Sequence, residues 1–283
     1  MRIRIKFRKN GVMRFIGHLD IMRFFQKAIR RAGLDVAYSE GFSPHQIMSF
    51  AAPLGVGVTS DGEYLDIEVI STGSSAESMA ALNAAMVEGM EVTSYVALRQ
   101  NAKKAMTAVA AADYIVYFKK REDFSQDGIR QRIREYYENR ETIEITKQSK
   151  KSERVIDVKP LIYRFEAYED SDSPVMSDSL AKDQTVNSTS GFEQDGRPSS
   201  ACSNLENEIS EFVLSDLGTR RGFFLRLSTG STDNIKPELV LQDFYAYFGK
   251  DYDPFNMQIH RLEVYERAGD DLLPLDAAGD IIT

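Results

Sequence analysis

His18, Asp20 and His45 are the side chains in this sequence whose types could do chemistry together. Near neutral pH an imidazole serves as a general acid, a general base or a metal ligand. His18 and Asp20 stand where a helical pattern begins. His45 follows Pro44, which fixes its own backbone torsion and restricts Ser43 before it, so the histidine is delivered from a stiffened loop. If the strand after His45 passes the start of that helix, the two histidines can meet. The plainer alternative makes His18 and Asp20 helix-start capping groups and lets His45 bond its own loop. A metal would want a third ligand and no cysteine is near, so no metal is expected. His260 sits beside Arg261 on a strand-like run and reads as a structural or surface group.

A second kind of chemistry is electrostatic. Within the first 31 residues Arg2, Arg4, Lys6, Arg8, Lys9, Arg14, Arg23, Lys27, Arg30 and Arg31 stand against one acid, Asp20. Lysine and arginine track phosphates, which makes Arg4, Lys6, Arg23, Lys27, Arg30 and Arg31 candidate RNA contacts. A ligand-free alternative is equally specific: Arg4 and Lys6 could lie across from Asp66 and Glu68 on a neighbouring strand and pair with them.

The elements that must position these groups can be read from periodicity. Residues 2–8 alternate, with Ile3, Ile5 and Phe7 on one side and the basic residues on the other, as in a half-buried strand. Asn10-Gly11 signals a turn. Leu19, Met22, Phe25 and Ile29 recur at helical spacing over about Leu19 to Ala32, with Arg23, Lys27, Arg30 and Arg31 on another side and Gly33 as the cap. Tyr38, Gly41, Phe42, Ser43, Pro44 and His45 belong to a loop, followed by a strand from about Ile47. Asp61-Gly62 marks a turn, and Tyr64–Ile70 alternates again. Ser74 with Glu77 forms a capping box before a second helix, and Glu91–Leu98 closes the set.

The order β-α-β-β-α-β predicts a ferredoxin-like antiparallel sheet for residues 1–100. The alanine-rich stretch 101–112 predicts a connecting helix. Residues 113–283 repeat the pattern, so the expected fold is α+β with two tandem ferredoxin-like units. The second unit carries an acidic insertion at about 169–218, too poor in large apolar side chains to order itself, and the tail after Ala268 is weakly patterned.

Composition excludes several classes. The chain has 283 residues, a net charge of −8 and a single cysteine, Cys202. One cysteine rules out an internal disulfide and the three-cysteine loop that holds a radical S-adenosylmethionine (SAM) cluster. Gly55 and Gly57 lack the third glycine of a dinucleotide loop, and no cofactor is expected. No apolar run reaches membrane-spanning length, and the chain opens on Met1-Arg2-Ile3-Arg4 without a secretory segment, which predicts a soluble cytoplasmic protein with no membrane partner.

The order G-H-L-D, R-x-x-x-K-A-I-R-R-A-G-L, A-Y-S-E-G-F-S-P-H-Q-I-M-S-F-A-A-P-L-G and E-Y-L-D-I-E-V resembles the bacterial radical-SAM-linked family, a domain of unknown function. The match is dense through about residue 100. The resemblance implies a radical SAM protein as partner and supplies no catalytic residue. Together with the basic segment it leads to the expectation of a non-catalytic accessory protein that binds the enzyme, a tRNA or rRNA, or both. Two alternatives stand beside it: an endoribonuclease-like enzyme using His18 and His45, and a pure protein-interaction module.

Overall fold

The computed structural model describes residues 1–119, 123–148, 153–169, 221–230 and 233–283. Strand β1 (Arg2–Lys9) alternates as its sequence demands, with Ile3, Ile5 and Phe7 buried on one side. Helix α1 (His18–Arg31) lays Ile21, Phe25, Ala28 and Ile29 over them. Leu19, expected on that apolar stripe, is instead 61% exposed, because Ile21 rather than Leu19 lies in phase with Phe25 and Ala28. The helix stops at Gly33, whose φ of 71° is open to glycine without a Cβ penalty. Its N–H donates to Arg30 O at 3.2 Å while Leu34 N–H donates to Ile29 O at 3.2 Å, the two bonds of a Schellman end.

Short strands β2 (Asp35–Val36) and β3 (Met48–Phe50) lead to the long strand β4 (Thr59–Ser71). Helix α2 (Ser75–Ala84) follows, opened by the expected box: Ser74 Oγ accepts from Glu77 N–H while Glu77 accepts from Ser74 N–H. Strand β5 (Met90–Leu98) completes the half. The order across the sheet is β5-β1-β4, with β2 and β3 on the far edge of β4.

The second half runs β6 (Val109–Phe118), α4 (Gln126–Ile133), a separate hairpin of β7 (Glu144–Gln148) and β8 (Glu153–Asp157), β9 (Ile162–Glu169), β10 (Arg221–Ser228), α5 (Pro237–Tyr247) and β11 (Met257–Ala268). Its order is β11-β6-β10-β9. Val116, Phe118, Phe223, Leu225 and Phe244 form the centre of its core. The halves are joined edge to edge, because β4 and β11 pair in parallel through Thr59 and Ser60 opposite His260 and Arg261. The result is a mixed α/β architecture around one mostly antiparallel sheet that crosses the expected boundary at 101–112.

Two local expectations are corrected. Asp61-Gly62 is no turn but lies inside β4: a Cβ on Gly62 would stand 2.7 Å from Glu263 Cα, so glycine is present to let the β11 backbone approach. The alanine-rich stretch is helical only over α3 (Ala105–Ala108), and Val109–Ala112 already belongs to β6, where Ala111 and Ala112 are fully buried. Burial between neighbouring strands overrides the helical propensity of alanine. The tail after Ala268 is ordered: β12 (Asp271–Pro274) pairs with β11, and β13 (Gly279–Asp280) pairs with β5 of the first half. The expected insertion beyond Glu169, with Cys202, lies outside the described residues.

Candidate nucleic-acid interface

The six cations singled out in the sequence separate into two groups. Arg4 is fully buried and its guanidinium is consumed internally: Nε and Nη2 donate to Asp66 at 2.7 and 3.0 Å, Nη1 to Leu275 O at 2.8 Å, and Nη2 to Lys103 O at 2.9 Å. Asp66 also accepts from Ala105 N–H at 2.7 Å. Lys6 pairs with Glu263 of β11 at 2.5 Å, not with Glu68, and Glu68 lies opposite Arg2. Burial pushes the Glu263 carboxyl above its ordinary range, and the Lys6 ammonium opposes that shift. Arg4 and Lys6 of β1 therefore belong to an internal seam under residues 102–105 and 275–278, while Arg8 stays exposed and pairs with Asp61 and Glu91 at the surface. The proposed RNA contact at Arg4 does not hold, because the second half and the tail cover it.

Arg23, Lys27, Arg30 and Arg31 meet the opposite fate. All four are exposed, and spacings of four, three and one residues put them on one side of α1, away from the core. Among the described residues Arg23 reaches Asp20, at 3.2 Å and three residues back, and Arg30 and Arg31 donate to the carbonyls of Gln26 and Ala85. Such contacts orient guanidinium groups, and among the described residues no buried acid pairs with them.

The histidines are not brought together into a shared site. His45 lies on an exposed hairpin closed by backbone bonds from Ser39 N to His45 O at 2.8 Å and from Ile47 N to Ala37 O at 2.9 Å. Its Nδ1 meets Ser39 Oγ at 2.8 Å, which is the plainer reading of that residue. Glu40, Gly41, Phe42, Ser43 and Pro44 are all exposed at the tip, and Phe42 makes no burial at all. His18 packs its ring edge-on against Phe50, with centroids 5.1 Å apart, and the helix start carries no side-chain cap bond, so neither His18 nor Asp20 caps it. His260 is structural: its nitrogens meet Thr59 Oγ1 at 2.9 Å and Asp61 Oδ2 at 3.0 Å across the junction of the halves. Burial would raise the Asp61 carboxyl, but hydrogen bonding and charge from His260, with Arg8 and Asn10, hold it below its ordinary value. Among the described residues no group of three His, Cys, Asp or Glu side chains is placed to hold a metal ion, and no helix is long and apolar enough to cross a membrane.

One cleft went unnoticed in the sequence. At the start of α1, Phe7, Lys9, His18, Phe50, Leu54 and Glu63 line a small solvent-open recess with room for little more than one water molecule. Lys9 is 2% exposed and donates to Ile16 O at 2.9 Å; burial pushes its ammonium below the usual lysine range, Glu63 opposes that shift and Arg261 adds to it. Glu63 takes Arg261 Nε and Nη2 on Oε1. The signal was available: Lys9 falls in the apolar phase of β1 with Ile3, Ile5 and Phe7, and Glu63 in that of β4 with Leu65, Ile67 and Val69. A charge in the buried phase of a strand needs a partner or a purpose.

Comparison with known proteins adds little at the level of structure. A chain from the crystal structure of a Cbf5-Nop10-Gar1 complex aligns with a TM-score of 0.42 and 11% identity, covering 93% of this chain and 48% of that one. This chain thus spans about half the length of that relative, and the likeness is too slight to carry fold or function across. No curated protein matches significantly. A family model does match, over residues 2–191, and the chain belongs to that bacterial family, described as uncharacterized protein conserved in bacteria (DUF2344).

Proposed function

We propose that this chain is a non-catalytic accessory protein that binds RNA along the exposed face of α1 and works beside a radical SAM enzyme in tRNA or rRNA modification in the cytoplasm. In this reading the two halves are ferredoxin-like units fused through β4 and β11. The observation that carries the RNA assignment is the row of Arg23, Lys27, Arg30 and Arg31, exposed together on one rigid helix while Arg4 and Lys6 of β1 are paired internally. Cations held at fixed spacing gain affinity for phosphates through counterion release. The radical SAM partner rests on the sequence resemblance.

Phe42 favours a protein contact as well. A fully exposed phenylalanine on a hairpin closed at its neck is an anchor of the kind that fills a partner's pocket. The enzyme therefore binds at the loop and the RNA at the helix. Affinity purification from cells, with sequencing of bound RNA and mass spectrometry of bound proteins, tests both. Charge reversal at Arg23, Lys27 and Arg30 is expected to strip the RNA and keep the protein partner, and Phe42→Asp to do the reverse. RNA recovery that ignores the charge reversal removes α1 from this role.

A further inference from the structure

Phe15 is an aromatic ring that the fold holds in place and leaves in water. It ends the short 3-10 turn Gly11–Phe15 just before α1, and it is 60% exposed. The backbone on either side of it is pinned: Arg14 O accepts from Gly57 N–H at 2.7 Å, Ile16 N–H donates to Met13 O at 3.1 Å, and Ile16 O accepts from the buried Lys9 ammonium at 2.9 Å. That last bond gives the charge in the buried phase of β1 a structural use, because it fixes the turn that presents the ring. The Arg14 guanidinium lies over one face of Phe15, 4.9 Å from the ring centroid, and forms no ion pair with a described residue. Leu19, also exposed, follows four residues on, and from it Arg23, Lys27 and Arg31 continue at steps of four along the outer side of α1. The cationic row, on a helix of 14 residues and about 21 Å, is thus preceded in the chain by an exposed ring that already carries a guanidinium.

Resting on the RNA-binding reading above, we propose that Phe15, with Arg14 on one face, stacks an unpaired base on the other, and that the RNA held along α1 is single-stranded. Lysine and arginine alone follow the backbone of any nucleic acid. A base face is within reach only where the strand is unpaired, since in a duplex each base is covered above and below by its neighbours. An aromatic ring beside a positively charged track is the combination that single strands select, because every base has a π-face and every linkage a phosphate. Arg14 serves both parts: its planar guanidinium stacks on the ring, and its charge adds a phosphate contact there. The site therefore distinguishes unpaired from paired RNA and not one base from another. Charge favours RNA over a protein partner at this ring. Phe42 shows the contrast, because its hairpin from Tyr38 to His45 carries Glu40 and no lysine or arginine.

The chain contains no tryptophan, so Phe15→Trp places a single fluorescent reporter at the site. The test titrates it at low salt with a mixed-sequence single-stranded RNA of about 12 nucleotides and with the same RNA annealed to its complement. The single strand is expected to quench the emission and the duplex to leave it nearly unchanged. By anisotropy, Phe15→Ala is expected to weaken single-strand binding about tenfold and to leave duplex binding as in the parent. Its salt dependence should match the parent's, since no cation is removed. Phe15→Leu, which keeps an apolar side chain without a π-face, is expected to fall with Phe15→Ala, and thermal melts of both should match the parent at so exposed a position. Full single-strand affinity in Phe15→Ala, or equal affinity of the parent for duplex and single strand, overturns the stacking site and leaves the α1 reading standing. Loss of a protein partner with full RNA affinity in Phe15→Ala also overturns it and assigns the ring to that partner. Absence of binding to either RNA by the parent overturns both.

Discussion

The basic side of β1 and the basic side of α1 lie within the first 31 residues and look alike as charge patterns, yet they end in opposite environments. Arg4 is sealed inside by Asp66, Leu275 and Lys103, and Lys6 is drawn to Glu263. Arg23, Lys27, Arg30 and Arg31 stay in water. Long-range topology makes the difference. A helix covering one side of a sheet must turn its other side outward, whereas the second side of a sheet is exposed only until another part of the chain crosses it. Here the segments that cover β1 lie 97 to 271 positions away in sequence. A run of cations on a strand is thus weak evidence for a ligand, and the same run on the outer side of a docked helix is stronger.

Breaking the buried seam should have the largest effect. Asp66→Ala leaves the Arg4 guanidinium buried without its carboxylate and orphans the Ala105 N–H, and should destabilise the protein by about 3–5 kcal/mol in chemical denaturation. A loss near zero would mean that Arg4 reaches water, and that β1 is as available as α1. Gly62→Ala comes next. Its Cβ would press on the Glu263 backbone where the halves meet, and overpacking of that kind costs about 1–3 kcal/mol, read as a lowered melting midpoint. Full stability in this variant would show that β4 and β11 separate readily.

Asp61 sharpens the comparison at a smaller scale, because its partner His260 belongs to the same junction. With its folded-state value held below the ordinary 3.8, the carboxylate contributes stability that is complete above that pH and is lost as the pH falls through the lower folded-state value. Asp61→Asn should therefore be less stable than the parent at neutral pH, by no more than about 1 kcal/mol for so exposed a group, and the difference should close in acid. A difference independent of pH would assign the effect to packing.

Local features were legible in the sequence wherever a local rule decides them. The limits of α1, its glycine end, the Ser74–Glu77 box and the inward set Leu65, Ile67 and Val69 each follow from a few adjacent residues. The Arg4–Asp66 pairing was legible too, since the strand order of a β-α-β-β-α-β unit makes β1 and β4 neighbours. Its burial was not, because the covering segments around Lys103 and Leu275 carry no pattern that says where they dock. Gly62 misled for a related reason: a glycine needed for close backbone approach looks in sequence like a glycine needed for a turn. His18 and His45 attracted attention by residue type, while Lys9 and Glu63 were told only by phase.

The central claim is that α1, and not β1, carries the charge offered to RNA. Its most direct test is the salt dependence of RNA binding by the parent and by the variant with Arg23, Lys27 and Arg30 reversed to glutamate. For a single strand the slope of log affinity against log salt is about 0.7 per neutralised phosphate, so the variant should lose about 2 units of slope. Its unfolding midpoint should stay nearly unchanged, because surface substitutions stay within about 0.5 kcal/mol. An unchanged slope in a folded variant would contradict the claim and return the helix to the status of a solvated surface.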